Sequence, residues 1–316
     1  MSFAEVHAQT TIKIDGSSTV FPITEAMAEE YQTAQKGKVR VTVGISGTGG
    51  GFKKFCKGET DIQNASRPIQ TKELADCKAA GVKFLEIPVA YDATVVVVHK
   101  DNKLSEITTD ELKKMWAPEA QGKVTNWKQV NAAWADQPLK LYGAGSDSGT
   151  FDYFTEAIVG KAKSSRGDYS ASEDDNTLVN GVAGDKNALG YLPMAYYEMN
   201  KGKLKAVAVK SAKSGKGVLP SKATVEDGTY APLSRPIFIY VNEASMKKTP
   251  AVKEFAEFYL KNAAVIVPQV KYVALPAEAY RIGQEHITKN KLGTVFNGHS
   301  DIGIRVEDLM KKEGNL

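Results

Sequence analysis

One stretch of the chain leads from a strand into a helix: Tyr142-Gly-Ala-Gly-Ser-Asp-Ser-Gly-Thr-Phe-Asp-Tyr-Phe154. Apolar residues precede the small residues of the loop, and aromatic and aliphatic residues follow them at helical spacing. Ser148, Gly149 and Thr150 therefore fall where a helix has unpaired backbone N–H groups, with hydroxyls beside them. Because such a terminus carries partial positive charge, the stretch is a candidate anion-binding site.

Two earlier loops have the same composition, with hydroxyl and glycine residues between a predicted strand and a predicted helix. They are Ser17–Val20 and Ser46–Gly51. In an α/β sheet, the loops that follow the strands gather at the carboxyl ends of the strands, where ligands bind. A single glycine-rich turn is usually only a turn. Three such loops, each with hydroxyl residues, predict that their N–H and O–H groups converge on one small anion.

Arg67 and Asp61 are the charged residues expected beside these loops. Pro68 favours an extended backbone at Arg67, whose guanidinium can then hold an oxyanion bidentately. Asp61 is an acceptor only, so it accepts a proton from phosphate and not from sulfate. Leaving a buried charge unpaired costs about 3–5 kcal/mol, enough to exclude sulfate. The alternative for Arg67, and more strongly for Arg235, is a surface salt bridge.

The overall composition is that of an ordinary globular protein of one or two domains. The 316 residues are 42% hydrophobic and 25% charged, and the net charge of +4 arises from 41 basic and 37 acidic residues. This slight, evenly mixed excess argues against nucleic acid or an anionic membrane as a partner. No apolar run is long enough for a membrane span, and residues 1–10 contain no apolar signal core. The protein is then either cytoplasmic or an exported protein whose signal has been removed.

Strands that alternate with helices predict an α/β fold with largely parallel sheets. Two apolar strands, 94–98 and 236–241, are far apart in sequence and are interpreted as paired connections between two lobes. Lobe 1 is then discontinuous, and lobe 2 is inserted into it. The predicted bounds are 11–92 with 241–316 for lobe 1 and 93–240 for lobe 2, after a flexible remnant at 1–10.

Several other functions find little support in the sequence. Neither a complete G-x-x-x-x-G-K-[ST] motif nor a complete G-x-G-x-x-G motif is present, which argues against a nucleotide site. Ser148 as a nucleophile requires a base, and no histidine lies in these loops. Cys56 and Cys77 lack the further ligands of a zinc site, and they are equally compatible with a disulfide or with two buried thiols. Glu173-Asp174-Asp175 is interpreted as a solvated acidic loop.

The chain resembles the phosphate-binding proteins of high-affinity phosphate ABC transporters. The motifs that carry the resemblance occur in family order from about residue 11 to about residue 276. They are DGSSTVFP at 15–22, GISGTGGGF at 44–52, DIQNASRPI at 61–69, DSGTFD at 147–152 and NALGY at 187–191. No single motif is specific for this family, but the set of five motifs together is.

The resemblance implies a two-lobe type II periplasmic binding fold that closes on phosphate in the cleft between the lobes. It implies phosphate import rather than catalysis, with delivery to an ABC permease in the inner membrane and with no metal or cofactor. A periplasmic or extracellular location, a removed signal peptide and a Cys56–Cys77 disulfide follow from export, and we expect a monomer. The implied phosphate ligands are Ser18, Thr19, Val20, Ser46, Asp61, Arg67, Ser148, Gly149 and Thr150.

The sequence departs from some family members at one position of the site. Those members have the ligand arginine shortly before the Ser-Gly-Thr motif, where this chain has Ala144-Gly145-Ser146. Arg67 is the expected substitute, with Asp147 orienting it as a further hypothesis. The alternatives are another oxyanion on the same fold (sulfate, molybdate or a phosphonate) and a serine-dependent hydrolase or phosphatase that uses Ser148.

Overall fold

The computed structural model describes residues 9–212 and 214–316. The predicted flexible remnant at 1–10 lies outside the described residues, apart from its last two positions. The described residues form twelve strands and thirteen α-helices. The strands are β1 (Thr10–Gly16), β2 (Val39–Val43), β3 (Ile62–Ala65), β4 (Phe84–His99), β5 (Glu106–Thr108), β6 (Lys140–Ala144), β7 (Ser170–Ser172), β8 (Ala188–Pro193), β9 (Leu204–Ala206), β10 (Ala208–Lys210), β11 (Gly217–Val218) and β12 (Ser234–Asn242).

The helices lie between these strands in the order expected for an α/β protein. They are α1 (Phe21–Ala34), α2 (Gly47–Phe55), α3 (Thr71–Ala79), α4 (Thr109–Trp116), α5 (Trp127–Val130), α6 (Gly149–Val159), α7 (Asp175–Gly184), α8 (Met194–Met199), α9 (Lys222–Glu226), α10 (Glu243–Lys248), α11 (Pro250–Gln269), α12 (Ala277–Lys289) and α13 (Val306–Gly314), with a 3-10 turn at Pro118–Ala120. No helix within the described part of the chain has the length and apolar character needed to cross a lipid bilayer.

The main sheet consists of two half-sheets joined by the long strand β4. The first half-sheet has the order β2-β1-β3-β12-β4, with β1 parallel to β2 and β3, and β12 antiparallel to its neighbours. The second has the order β7-β6-β8-β4-β9, with β6 parallel to β7 and β8, and β4 antiparallel to β8 and β9. The two half-sheets therefore share one topology, and β1 with its following loop is the counterpart of β6 with its following loop.

Strand β4 has different partners along its length. The first part of β4, from Phe84 to Ala93, pairs with β12. Its second part, Thr94–Val98, pairs with β8 instead. The sequence could not distinguish these partners, because both parts of β4 are apolar and buried on both faces.

Helices α1 and α6 occupy equivalent places, each after the first strand of its half-sheet. Helix α1 begins with Pro22 in its first turn, where the missing N–H is tolerated, and buries Ile23, Met27 and Tyr31. Helix α6 buries the predicted apolar face, and its Phe154 ring stacks on Tyr191 of β8 with centroids 3.8 Å apart. This packing fixes the direction in which each helix N-terminus points.

The cysteines form the disulfide implied by the resemblance. Cys56 follows α2, Cys77 lies in α3, and the bond joins the two helices. In the chain-entropy account, closing a loop of this length stabilises the folded state by about 3 kcal/mol.

Candidate functional site

The first loop of each half-sheet contains the same Ser-x-Thr turn. The hydroxyl of Ser17 accepts a hydrogen bond from Thr19 N–H at 3.2 Å, ahead of α1. The hydroxyl of Ser148 accepts one from Thr150 N–H at 3.1 Å, at the N-cap of α6. Ser148 thereby satisfies one of the unpaired N–H groups of the α6 N-terminus, whereas Ser17 satisfies the N–H of the residue just before the N-cap of α1.

The two turns meet face to face. The hydroxyl oxygens of Thr19 and Thr150 are 3.1 Å apart although the residues are separated by 131 positions, and both side chains are buried. The structure therefore brings the predicted residues Ser18, Thr19 and Val20 against Ser148, Gly149 and Thr150. The N-termini of α1 and α6 point at a common region, as an anion site built from helix N-termini requires.

The second loop joins this region through Thr48. The Thr48 hydroxyl lies 3.1 Å from that of Ser66, at the end of β3. A Cβ atom on Gly149 would lie only 2.4 Å from the Thr48 hydroxyl and 2.5 Å from that of Ser66. Only glycine allows this approach, so the α2 and α6 N-termini are in direct contact.

Ser46, the residue predicted from the second loop, is directed elsewhere. Its hydroxyl donates to the Asp15 carboxylate, which also pairs with Lys54 at 2.6 Å. Ser46 occupies the N-cap position of α2, whereas Thr48 lies inside the first turn and faces the other loops. The hydroxyl that this loop brings to the other loops is therefore that of Thr48, while the Ser46 hydroxyl is bonded to Asp15.

Asp61 is not brought to the site. It precedes β3, which runs parallel to β1, so it lies at the amino end of the strand and the loops lie at the carboxyl end. Its carboxylate accepts from Lys13 N–H at 2.8 Å. At about 3.3 Å per residue, the three positions to Asn64 place it about 10 Å away along the strand. The prediction did not take into account that the loops lie at the carboxyl end of β3, whereas Asp61 lies at its amino end.

Arg67 reaches the region but is already engaged by protein groups. Its Nε donates to Asp152 at 2.6 Å, and its two terminal nitrogens donate to Glu73 at 2.8 Å each. A further bond goes to the Pro68 carbonyl, so four of its five N–H groups have partners. The side chain is 1% exposed, so the alternative of a surface salt bridge is wrong. Asp152, and not Asp147, orients the guanidinium.

Arg235 is the residue that the sequence reasoning missed. It donates to the Thr150 hydroxyl at 2.8 Å and to the Gly149 carbonyl at 3.0 Å, and it pairs with Asp92 at 3.2 Å. Both charged side chains are buried, so this too is no surface salt bridge. The sequence does contain a signal, because Ser-Arg-Pro occurs at 66–68 and again at 234–236. Strands β3 and β12 are antiparallel neighbours, which places both copies at the same edge of the sheet.

The acidic segment 173–175 is only partly solvated, with Asp174 exposed and Asp175 buried. Asp175 is 3% exposed in the first turn of α7, and one of its carboxylate oxygens has no partner within the described part of the chain. Burial raises the pKa of Asp175 to about 7; a hydrogen bond from Ser18 opposes this rise, and the nearby Asp92 adds to it. A carboxyl group that is half protonated near neutral pH therefore lies beside the α1 loop.

Burial also raises the pKa of Asp92 and of Asp152, and in each case the paired arginine opposes the rise. In each case the arginine is the strongest of the groups that favour the charged carboxylate. The guanidinium groups of Arg67 and Arg235 and the carboxylates of Asp92 and Asp152 thus lie around the first turn of α6. Hydrogen-bond donors supply the rest of the electric field there.

Comparison with known proteins identifies the family that carries this site. Residues 3–263 match the sequence model of the PBP superfamily domain. The chain belongs to this superfamily. It is similar to protein SphX of Synechococcus elongatus, with 52% identity over 303 residues that cover 96% of this chain and 89% of that protein. It is also similar to the phosphate-binding protein PstS of Staphylococcus saprophyticus, with 40% identity over 272 residues that cover 85% of this chain and 82% of that protein.

A solved structure gives the same result. A protein from Clostridium perfringens, assigned as a phosphate ABC transporter substrate-binding protein and solved with bound phosphate, is 28% identical to this chain. It matches with a TM-score of 0.71 and covers 84% of this chain and 100% of its own. The predicted family is thus confirmed. This chain has the predicted two-lobe α/β fold, and it is a binding protein and not an enzyme.

Proposed function

We propose that the protein binds inorganic phosphate with high affinity in the cleft between its lobes and delivers it to an ABC permease. The observation that carries this proposal is the meeting of two Ser-x-Thr turns, one from each half-sheet, at Thr19 and Thr150. The bound phosphate of the Clostridium perfringens relative supports the choice of anion.

The proposed ligands are the hydroxyl and backbone groups at the N-termini of α1, α2 and α6. They are Ser18, Thr19, Val20, Thr48, Ser148, Gly149 and Thr150, with Thr48 replacing Ser46. Ser17 Oγ accepts from the N–H groups of Thr19 and Val20 at 3.2 and 3.4 Å, and these long bonds can be exchanged for bonds to an anion. Arg67 and Arg235 supply positive charge close to the ligand, and Asp61 has no part in the site.

The lobe boundaries follow from the strand register under this proposal. Strand β4 leaves the first half-sheet at Ala93, and Ser234 is the residue opposite it on β12. We therefore place the return to lobe 1 at Ser234, seven residues before the predicted return at residue 241. Two crossings at the same level of the sheet form a hinge about which the lobes can close.

The remaining proposals concern the setting of the protein. A phosphate receptor of an importer acts outside the cytoplasmic membrane, so we propose a periplasmic or extracellular location. The disulfide agrees with an oxidising compartment. The partners are then phosphate and the membrane permease, and the receptor acts as a monomer.

Titration calorimetry with inorganic phosphate tests the function. The protein is first freed of carried-over anion by reversible unfolding and dialysis, with the disulfide intact. Thr150→Val is expected to weaken phosphate binding about 10- to 100-fold, since an unsatisfied buried partner costs about 1–3 kcal/mol. Thr155→Val is the matched control, because Thr155 lies in the same helix and its hydroxyl bonds only to the Phe151 and Asp152 carbonyls and to the Lys163 N–H, away from the Thr19–Thr150 contact. Equal or tighter binding of sulfate, molybdate or a phosphonate would contradict phosphate as the ligand.

A further inference from the structure

The Arg67 cluster consists of one guanidinium and two carboxylates that come from both lobes. Arg67 follows β3, and Glu73 lies in the first turn of α3, in the same lobe. Asp152 belongs to α6 of the other lobe. Arg67 and Asp152 are each 1% exposed, and their charged atoms are 2.6 Å apart.

This cluster acts on the part of α6 that forms the site. Asp152 lies in the first turn of α6, directly after Ser148, Gly149 and Thr150. Its contact with Arg67 therefore fixes where those three residues stand relative to the α1 and α2 loops. The bond between Gly49 N–H and the Asp147 carbonyl, at 3.0 Å, holds the same segment from the α2 side.

We infer that Arg67 and Asp152 form a closure latch, which positions α6 for anion binding and holds the lobes together around the ligand. This inference rests on the proposed function. Arg67 and Asp152 are positioning residues under it, because they bond to each other. Arg67 bonds otherwise to Glu73 and the Pro68 carbonyl, and Asp152 lies beside Lys163.

The partners of the latch suit a contact that breaks and forms repeatedly. When the lobes separate, Arg67 retains its two bonds to Glu73. Asp152 becomes exposed beside Lys163, whose Nζ is 3.9 Å from the second Asp152 oxygen and is 47% exposed. Neither charge is then left buried and unpaired. An unpaired buried charge would strongly disfavour opening. Closure removes water from the pair and strengthens their attraction.

The test compares Asp152→Asn with Lys53→Met. Lys53 forms the other ion pair between these segments, with Asp147 at 3.1 Å, but both partners are exposed and contribute little. Asp152→Asn is expected to raise the dissociation constant for inorganic phosphate about 10- to 100-fold, mainly through faster dissociation in stopped-flow measurements. Lys53→Met is expected to change it less than twofold.

The ratio of phosphate to arsenate affinity shows whether Asp152 acts as part of the latch or binds the anion directly. A latch shifts closure equally for both anions, so Asp152→Asn should leave the ratio within twofold of the wild type. A change in the ratio, or an unchanged phosphate affinity, would overturn the inference. If the wild-type protein binds no phosphate, the proposed function fails, and the latch is judged from hydrogen exchange of residues 149–155 in the ligand-free protein. Faster exchange in Asp152→Asn supports it, and equal exchange refutes it.

Discussion

Two buried arginines approach the first turn of α6, and they differ in what they join. Arg67 pairs with Asp152 across the cleft and with Glu73 in its own lobe. Arg235 pairs with Asp92, which is its direct neighbour across the β12–β4 register, and also reaches Thr150. Both follow a serine and precede a proline in the sequence.

The difference is that only one of these ion pairs has to break when the lobes open. Arg235 and Asp92 lie on strands that are hydrogen-bonded to each other at the hinge, so their pair persists in either state. Arg67 and Asp152 lie on opposite sides of the cleft. A buried ion pair within one sheet stabilises the folded state, whereas a buried ion pair that spans the cleft stabilises the closed state.

Substituting each arginine alone should show the largest difference between the two ion pairs, measured as the loss in the free energy of unfolding. Arg235→Met leaves Asp92 buried without a partner, and we expect the free energy of unfolding to fall by about 3–5 kcal/mol. Arg67→Met should cost about 1–2 kcal/mol in the ligand-free protein, because the lobes can open and hydrate Asp152. Urea unfolding of both variants, without phosphate, measures the two values.

The matched double variant checks the reason for the larger loss. Arg235→Met with Asp92→Asn removes the unpaired charge, so part of the stability should return. Equal losses for the two arginine variants would mean that Arg67 is as fixed as Arg235, and the comparison would fail.

The two Ser-Arg-Pro motifs provide a smaller test on the serines. Ser66 donates to or accepts from Thr48 inside the anion region, whereas Ser234 stands at the crossing and uses its carbonyl to accept from Tyr153. Ser66→Ala is expected to weaken phosphate binding about fivefold, about 1 kcal/mol, as for one neutral hydrogen bond. Ser234→Ala should leave the affinity unchanged in the same calorimetric titration. A larger effect at Ser234 would place the ligand on the hinge side.

Much of the fold could be predicted from the sequence because it depends on local patterns. The strand that leads into the Tyr142–Phe154 stretch and the apolar face of α6 follow from side-chain spacing alone, and the structure has both. The convergence of the loops also follows from a general rule, since the loops after parallel strands share one edge of a sheet.

The errors arose where the result depends on which atoms meet across the fold. Ser46 and Thr48 are both hydroxyl residues in one loop, and only the helix start decides which of them faces the cleft. Asp61 was predicted to be a ligand because it is close to Arg67 in sequence, although strand β3 lies between it and the site. The role of Arg235 requires the β12–β4 register, which pairs residues 143 positions apart.

The smallest expected effect is a pH dependence on the Arg235 side of the site, where Asp175 lies. Its pKa of about 7 is raised from the usual 3.8, so the folded protein binds this proton more tightly than the unfolded chain. Stability contributed by this group is therefore lost as the pH rises from about 4 to about 7. The groups around Asp175 are Ser18, Asp92, Asp174 and Arg235.

The same ionisation should weaken anion binding, because a new negative charge then lies beside the α1 loop. Between pH 6 and pH 8, the phosphate affinity of the wild type is expected to fall a few-fold relative to that of Asp175→Asn, measured calorimetrically at each pH. Phosphate titrates identically in both experiments, so the ratio of the two affinities isolates Asp175. A ratio independent of pH would show that Asp175 is too far from the ligand to influence it.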